Sequence, residues 1–294
     1  MLRGWTLEFE VEWARRFYAR KMKSVSELFG VEKAIIGMVH LPPLPGSVAY
    51  EGESIDSIIE FALKDARLLQ EGGVDGLIVE NMWDLPYFVG ENIPPEEVAA
   101  MAVATREIVK ESSVPVGVNI IHNGWRGELA IAVASGAKFI RVCLMAGALV
   151  WDTGEFDHGV GAKMLRMRKF LQADDIKLFA DVTKKHAVMF PGIDLEKHAE
   201  WLDFYMADAL IVTGTMTGKA PSVEKVKRVR EFLPGKPLLV GSGVNPSNVR
   251  DFFKYADGAI VGTYFKVGGI TQNPVELERV KRLMEEVKRI RREE

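Results

Sequence analysis

Residues 237–263 read PLLVGSGVNPSNVRDFFKYADGAIVGT, and this stretch decides the fold. It holds two short apolar runs, 237–241 and 258–262, and each run ends in glycine. Between them lie a proline-containing turn and the start of a helix. Both runs are apolar on both strand faces, which is typical of parallel strands covered by helices outside and by a packed interior inside. The stretch therefore predicts a β–α–β unit of a parallel sheet.

The same theme repeats outward from this unit over residues 34–265. Six further apolar runs, each followed by a polar or glycine-containing turn, precede it at 34–40, 76–81, 115–120, 139–144, 177–182 and 209–214. Eight strands with intervening helices favour a closed barrel over an open doubly wound sheet. We therefore predict an α/β protein with a (β/α)8 TIM barrel.

Longer stretches between the runs predict helices. Ser54 and Ser222 are good N-caps, and residues 94–97 (PPEE) put proline and carboxylates in a first helical turn. The predicted helices cover 54–71, 95–111, 163–172, 195–206, 222–233 and 275–291. We expect residues 31–294 to form a single barrel domain and residues 1–30 to be a helical N-terminal extension. Its predicted helix, 8–23, would cover the barrel bottom or contact another subunit, while its basic residues would also suit a membrane surface.

The composition limits the partners of the protein. The chain has 294 residues, 48% of them hydrophobic, which is typical of a folded protein with a sizeable core. A formal net charge of -3 argues against nucleic acid, whose binding requires many cationic contacts. The single cysteine, Cys143, excludes an internal disulfide framework, and no apolar run approaches the roughly 20 residues that span a bilayer. We expect a cytoplasmic homo-oligomer that has no transmembrane segment and binds no nucleic acid.

Polar residues follow the apolar runs at or just beyond their C-terminal ends. In a (β/α)8 barrel these ends share one rim, which holds the active site in essentially every characterised case. One such residue would more often cap the next helix, but polar ends on all eight runs favour a site. These residues are His40, Glu80, Asn81, Asn119, Arg141, Asp181, Thr213, Ser242 and Thr263.

The sharpest signal is for phosphate. Glycine lets backbone N–H groups approach an anion closely, and barrels commonly bind phosphate after strands seven and eight. The seventh run ends in Gly241, Ser242 and Gly243, and the eighth ends in Gly262 and Thr263. Two glycine-containing turns in adjacent units therefore predict that a phosphorylated small molecule binds at this rim.

The same rim supplies candidates for catalysis. The acid–base candidates are Asp181, Glu80, His40 and Lys185. A carboxylate in a partly desolvated barrel mouth can have a raised pKa and move protons near neutral pH. Asp181 leads this group, with a salt bridge to Arg141 as the equally weighted alternative. Lys184 or Lys185 would form a Schiff base if desolvated, but adjacent lysines past a strand are more often solvated or bind phosphate.

Other strand-end residues complete the predicted site. The candidate substrate ligands are Asn81, Asp84, Asn119, Arg141 and Thr213. The sequence requires no cofactor, and a divalent metal is the less favoured alternative because no spacing signature supports it. Its candidate ligands are His40, Glu80, Asp181 and His186. Cys143 and the tryptophans are interpreted as core residues, and His122, His158 and His198 as ordinary surface or helix residues.

Several of these motifs resemble the BtpA/SgcQ family. Residues 36–47 (IGMVHLPPLPGS) resemble its opening signature, and 80–87 (ENMWDLPY) are close to its E-N-x-x-D-x-P-[FY] motif. Shorter matches extend the resemblance over about residues 34–266: 117–119 (GVN), 139–142 (FIRV), 179–182 (FADV), 185–187 (KHA), 211–214 (IVTG), 217–218 (TG), 240–244 (VGSGV) and 257–263 (DGAIVGT). At 121–124 this chain has IHNG, where the family tends to have Leu-Arg-Asn-Asp.

The resemblance implies a phosphate-binding barrel of the ribulose-phosphate-binding type. Family members are linked to photosystem I biogenesis in cyanobacteria or are encoded among carbohydrate-use genes in bacteria. Our first hypothesis is an enzyme that isomerises, cleaves or hydrolyses a phosphorylated sugar or nucleotide-like metabolite, with Asp181 or Glu80 transferring protons. The alternatives are a non-catalytic assembly factor that keeps the barrel as a scaffold, and a sensor that binds the metabolite without turning it over.

Overall fold

The computed structural model describes residues 21–293, in which eight parallel strands close into a barrel. The eleven strands of this region are β1 Ala34–His40, β2 Gly76–Glu80, β3 Val116–Asn119, β4 Phe139–Val142, β5 Ala148–Trp151, β6 Phe156–His158, β7 Lys177–Asp181, β8 Ala187–Met189, β9 Ala209–Thr213, β10 Leu238–Gly241 and β11 Gly258–Val261. The barrel order is β1-β11-β10-β9-β7-β4-β3-β2, and all eight pairings are parallel. The predicted (β/α)8 barrel is confirmed, and its strands are the eight predicted runs.

The helices follow barrel strands and pack outside them, except for the first, which precedes β1 and lies at the amino end of the barrel. They are α1 Ser26–Phe29, α2 Ile55–Gly72, α3 Pro95–Glu111, α4 Trp125–Ser135, α5 Gly161–Phe170, α6 Leu195–Phe204, α7 Val223–Phe232, α8 Val249–Phe253 and α9 Leu277–Glu293. The N-caps were predicted well, because the side chains of Ser54 and Ser222 accept hydrogen bonds from the first turns of α2 and α7. Within residues 21–293, no helix has the length and apolarity needed to cross a membrane.

The N-terminal predictions meet the described residues only at their edge. The predicted helix over 8–23 lies outside the described residues except for 21–23, which are not helical. The short helix α1 follows them and lies at the amino end of the barrel. The division into residues 1–30 and a single domain over 31–294 stays a prediction.

An aromatic cluster closes the amino end of the barrel interior. Phe139 and Phe179 stack with ring centroids 4.8 Å apart. Phe29, the last residue of α1, meets both rings edge-on at 5.6 and 6.2 Å. A Cβ at Gly117 would lie 2.3 Å from the Phe139 ring, so that glycine makes room for it. The amino end is therefore packed with side chains.

Three aspartates, one immediately before each of β2, β9 and β11, tie the amino ends of the strands together. Asp75 accepts a hydrogen bond from the backbone N–H of Ile35 on β1 at 2.7 Å. Asp208 and Asp257 accept equivalent bonds, at 2.9 and 2.8 Å, from the second residue of β7 and the first residue of β10. Each carboxylate also pairs with an arginine, namely Arg291, Arg168 and Arg230 respectively. These carboxylates hold the barrel closed.

A small antiparallel sheet, which the sequence analysis did not predict, stands on the carboxyl end of the barrel. Its order is β6-β5-β8, and its strands come from the segments that follow β4 and β7. Alternate residues of β5 face opposite ways, so Leu149 and Trp151 are buried while Val150 is exposed. The sheet thereby brings Trp151 to the mouth of the barrel.

Candidate active site

The carboxyl ends of the barrel strands open into a cavity with two parts. The inner part is narrow and lies at the turns after β10 and β11, where Ser242, Gly243, Gly262 and Thr263 border it. The outer part has a volume of about 480 Å³, within the usual range for small-molecule sites. Residues common to both parts are Glu80, Met82, Arg141, Lys185 and Thr217. Predicted phosphate-binding and acid–base residues thus border one space.

The turn after β10 offers backbone donors to the inner part. Ser242 and Gly243 both have positive φ, at 75° and 63°. No hydrogen bond within residues 21–293 has the backbone N–H of Ser242, Gly243 or Thr263 as its donor. Successive N–H groups in such turns form anion-binding concavities, so this end of the cavity is able to hold an anion. Gly241, the remaining predicted phosphate residue, ends β10 and does not border the cavity.

Two of these glycines also make room for neighbouring groups. A Cβ at Gly243 would lie 2.2 Å from the backbone nitrogen of Ala220, so the segment after β9 packs directly on the turn. A Cβ at Gly262 would lie 3.2 Å from Cε1 of His40, so this glycine admits the imidazole to the cavity wall. Both glycines therefore have a packing reason that is independent of any ligand.

A chain of alternating charges crosses the barrel mouth. Glu80, at the end of β2, lies 3.6 Å from Nε2 of His40 and 3.9 Å from Nη1 of Arg141. The guanidinium of Arg141 donates two hydrogen bonds to Asp181, at 3.1 and 3.2 Å. Lys184 donates a third, at 2.8 Å. The salt-bridge alternative for Asp181 is thus present in the structure. Lys184, expected to be solvated or to bind phosphate, is 10% exposed and forms an ion pair with Asp181.

Burial and neighbouring charges set the ionisation of these groups. Burial favours a raised pKa for Asp181, but Arg141 and Lys184 outweigh it and hold that pKa below its ordinary value. Burial holds the pKa of His40 well below 6.5, so its imidazole is neutral at pH 7. Burial, reinforced by the charge of Arg141, lowers the pKa of Lys185 to about 8. Lys185 therefore changes its charge close to neutral pH.

The predicted metal ligands do not come together. His40 and Glu80 are neighbours, but Asp181 is engaged by Arg141 and Lys184. His186 lies in the outer part of the cavity, 3.3 Å from Asp152. Within the described part of the chain, no group of three or more His, Cys, Asp or Glu side chains is arranged to hold a metal ion.

Two predicted substrate ligands after β2 lie outside the cavity wall. Asn81 accepts a hydrogen bond from the backbone N–H of Ile121 at 2.9 Å, which joins the ends of β2 and β3. Asp84 is buried and accepts from the backbone N–H of Leu44 at 2.8 Å, which fixes the segment after β1. Burial raises the pKa of Asp84 to about 6. Both side chains hold rim segments in place.

Asn119 and Thr213 have similar local roles. Asn119 donates to the backbone oxygen of Arg141 at 3.0 Å and to the buried carboxyl of Glu128 at 3.2 Å. The hydroxyl of Thr213 donates to the backbone oxygen of Thr183 at 2.8 Å. Neither residue borders the cavity. Substrate binding by these residues and by Asn81 and Asp84 stays a prediction, and their contacts favour a structural role.

Three aromatic side chains border the outer part of the cavity, and the sequence analysis assigned none of them to the site. The rings of His122 and Trp151 stack with centroids 4.2 Å apart, and Tyr87 meets His122 edge-on at 5.0 Å. His122 is buried, so its interpretation as an ordinary surface or helix residue is wrong. The one available signal was Tyr87, which closes the 80–87 motif.

Comparison with known proteins places the chain in a family. The model of the BtpA family matches residues 31–289. An uncharacterized protein of Thermococcus kodakarensis is 41% identical over 88% of this chain and 97% of its own length. The photosystem I biogenesis protein BtpA of Synechocystis is 34% identical over 88% of this chain and 89% of its own length.

Solved structures agree on the fold. The orotidine 5′-phosphate decarboxylase of Pyrococcus horikoshii superposes with a TM-score of 0.54 at 16% identity, covering 86% of this chain and 99% of that one. At this identity the likeness shows only the common barrel architecture. The family match and the sequence relatives together show that the chain belongs to the BtpA family.

Proposed function

We propose that the protein is an enzyme that binds a phosphorylated small molecule at the carboxyl end of its barrel and transforms it by acid–base chemistry. The observation that carries the proposal is that two kinds of group border one cavity. The free backbone N–H groups of Ser242, Gly243 and Thr263 are suited to a phosphate. Glu80 and Lys185 are ionisable groups in the same wall. Phosphorylated sugars and nucleotide-like metabolites are the substrate classes that fit.

Each charged group has a distinct part in this proposal. The side-chain carboxylate of Glu80 accepts no hydrogen bond from a described residue, so it is available to a substrate proton. Lys185, with a pKa of about 8, exchanges a proton near neutral pH and makes no ion pair within residues 21–293. Asp181 is a positioning residue, because it fixes the guanidinium of Arg141 through two hydrogen bonds. Isomerisation, bond cleavage and glycosidic-bond hydrolysis all use such an acid–base pair.

Phosphate binding is tested by thermal shift with a panel of sugar phosphates, nucleotides and inorganic phosphate. Ser242→Glu puts a carboxylate where the phosphate binds, so it should abolish the stabilisation by phosphorylated compounds. Ser247→Glu is the matched control, because Ser247 is exposed on the same segment and does not border the cavity. If no phosphorylated compound raises Tm, or if both variants lose the response equally, the proposed phosphate site is wrong.

Catalysis is tested on the compounds that stabilise the protein. Glu80→Gln should lower turnover by about 10²–10⁴-fold, the usual range for a general acid or base, while the thermal shift is retained. A non-catalytic assembly factor or a sensor predicts no turnover by the wild type. An assembly factor further predicts that Ser242→Glu leaves biological activity intact. Turnover that is unchanged in Glu80→Gln would contradict the role of this carboxylate.

A further inference from the structure

The outer part of the cavity is built differently from the phosphate end. Its wall includes aromatic and apolar side chains from the segment after β2, among them Leu85, Pro86 and Tyr87. The small sheet contributes Trp151, and the segment after β3 contributes His122. A compact sugar phosphate has no large apolar group to fill such a space. The wall therefore points to a second chemical group on the ligand.

The aromatic wall is held in place without a ligand. The indole N–H of Trp151 donates to Asp157 at 3.2 Å, and the stacked His122 covers its ring. The hydroxyl of Tyr87 donates to the backbone oxygen of Met82 at 2.6 Å, and the ring of Tyr87 contacts that of His122. These two interactions fix the orientation of the Tyr87 ring. Burial lowers the pKa of His122 to about 4, so this part of the wall is uncharged at neutral pH. Trp151 and His122 are buried against each other, and Tyr87 is the ring of the three that stays partly exposed, so its fixed face favours a flat partner.

Polar groups border the same space. A carboxylate oxygen of Asp152 lies 3.3 Å from Nδ1 of His186, and both side chains are partly exposed in the wall beside Thr153. These groups offer donors and acceptors to the edge of a heteroaromatic ring. A purely hydrocarbon group would form no hydrogen bond with them. The combination of aromatic faces and hydrogen-bonding groups is how proteins bind nucleobases.

We propose that the outer part of the cavity binds the base of a nucleoside 5′-monophosphate, whose phosphate lies at the Ser242–Gly243 turn. This inference rests on the proposed function, because it takes the phosphate end as given. The sugar then spans the residues common to both parts, where Glu80, Arg141 and Lys185 lie. The proposed acid–base groups are therefore next to the atoms that join phosphate, sugar and base.

Titration calorimetry tests the inference with four kinds of probe: the common nucleoside 5′-monophosphates, ribose 5-phosphate, decyl phosphate and the phosphate-free nucleosides. At least one monophosphate should bind about 10- to 100-fold more tightly than ribose 5-phosphate, the range that base stacking supplies. Monophosphates that bind no better than ribose 5-phosphate would overturn the base site and leave the proposed function standing. If decyl phosphate binds more tightly than every monophosphate, the outer part of the cavity binds a hydrocarbon chain, and the proposed base site is wrong.

Variants in the segment after β2 distinguish the loss of the Tyr87 ring from a general disturbance of the fold. Tyr87→Leu should lower monophosphate affinity about tenfold and leave ribose 5-phosphate unchanged, whereas Tyr87→Phe should retain most of it because the ring remains. Phe88→Leu is the matched control, since Phe88 is exposed and does not border the cavity. Equal affinities in Tyr87→Leu and Phe88→Leu would overturn the inference. If only nucleosides bind, and Tyr87→Leu weakens them, the base site stands while the phosphate proposal fails.

Discussion

The two ends of the barrel use the same residue types in opposite ways. At the amino end, Asp75, Asp208 and Asp257 each accept a backbone N–H from a neighbouring strand and pair with an arginine. At the carboxyl end, the side-chain carboxylate of Glu80 accepts no hydrogen bond from a described residue, and Asp181 is held by the side chains of Arg141 and Lys184. The amino-end carboxylates thus complete the barrel, whereas Glu80 is available to a ligand and Asp181 positions Arg141 beside it.

The aromatic residues differ in the same way. Phe29, Phe139 and Phe179 fill the amino end with ring-to-ring contacts. Tyr87, His122 and Trp151 also contact one another at the carboxyl end, yet they border a cavity of about 480 Å³. Substitutions at the amino end should therefore change the stability of the protein, and substitutions at the carboxyl end should change ligand binding. The following predictions test that division, beginning with the largest change in stability.

Removal of a ring from the amino-end cluster should have the largest effect. Phe139→Ala leaves a cavity beside Phe29 and Phe179, and we expect the free energy of unfolding to fall by about 3–5 kcal/mol. Denaturant unfolding measures the loss, and the thermal shift with ribose 5-phosphate should persist. Phe170→Ala is the control, because Phe170 is 81% exposed. Similar stability of the two variants would contradict a stabilising role for the aromatic cluster at the amino end.

Loss of an amino-end carboxylate should come next. Asp208→Ala removes the acceptor for the backbone N–H groups of Leu178 and Met22 and the ionic partner of Arg168. We expect destabilisation of about 3 kcal/mol, because a buried charge and buried donors lose their partner. Asp208→Asn should lose less, since its amide oxygen still accepts one bond. Equal losses in the two variants, measured by denaturant unfolding, would contradict this account.

The barrel was predictable from sequence because its strands are buried on both faces. The segments 76–79 (GLIV) and 209–212 (ALIV) are continuously apolar, and a polar residue follows each one. The small sheet was not predictable, since β6 and β8 are only three residues long and Asp157 is the one buried residue in them.

The site was predictable in position more than in detail. The phase of the strand ends brought Glu80, Arg141 and Lys185 to one cavity. Sequence could not tell that Asn119 turns away to Glu128, because that contact depends on the direction of a side chain at the end of a short strand. Trp151 reaches the cavity only through the small sheet, so its role could not be read from its neighbours in the chain.

Glu128 differs from Glu80, because it lies near the carboxyl end of the barrel but has a structural role. It is fully buried and accepts from the backbone N–H of Ile120 at 2.8 Å, while burial raises its pKa to about 8 from an ordinary value of 4.5. A raised folded-state pKa gives stability that is complete below about pH 4.5 and is lost as the pH rises through 8. Between pH 7 and 9 this group should cost about 1 kcal/mol of stability.

Glu128→Gln removes the titration while keeping an acceptor oxygen for Ile120. Denaturant unfolding at pH 7 and pH 9 should therefore show a smaller loss in the variant than in the wild type. Glu155→Gln serves as the control, because Glu155 is exposed and should leave the pH dependence as it is. Parallel pH dependence in wild type and Glu128→Gln would mean that Glu128 is ionised in the folded protein.

The smallest change in stability should come from Glu80→Gln, and the most direct contrast lies on the same strand. Asp75 precedes β2 and Glu80 ends it. Glu80→Gln loses the contacts of 3.6 and 3.9 Å with His40 and Arg141, but it also removes the cost of burying a carboxylate. We therefore expect the free energy of unfolding to change by less than about 1 kcal/mol. Asp75→Asn weakens a strand-to-strand bond and an ion pair, and should cost about 1–3 kcal/mol. If denaturant unfolding shows a larger loss of stability in Glu80→Gln than in Asp75→Asn, Glu80 has a structural role in the barrel. The proposal that its carboxylate is available to a substrate would then be wrong.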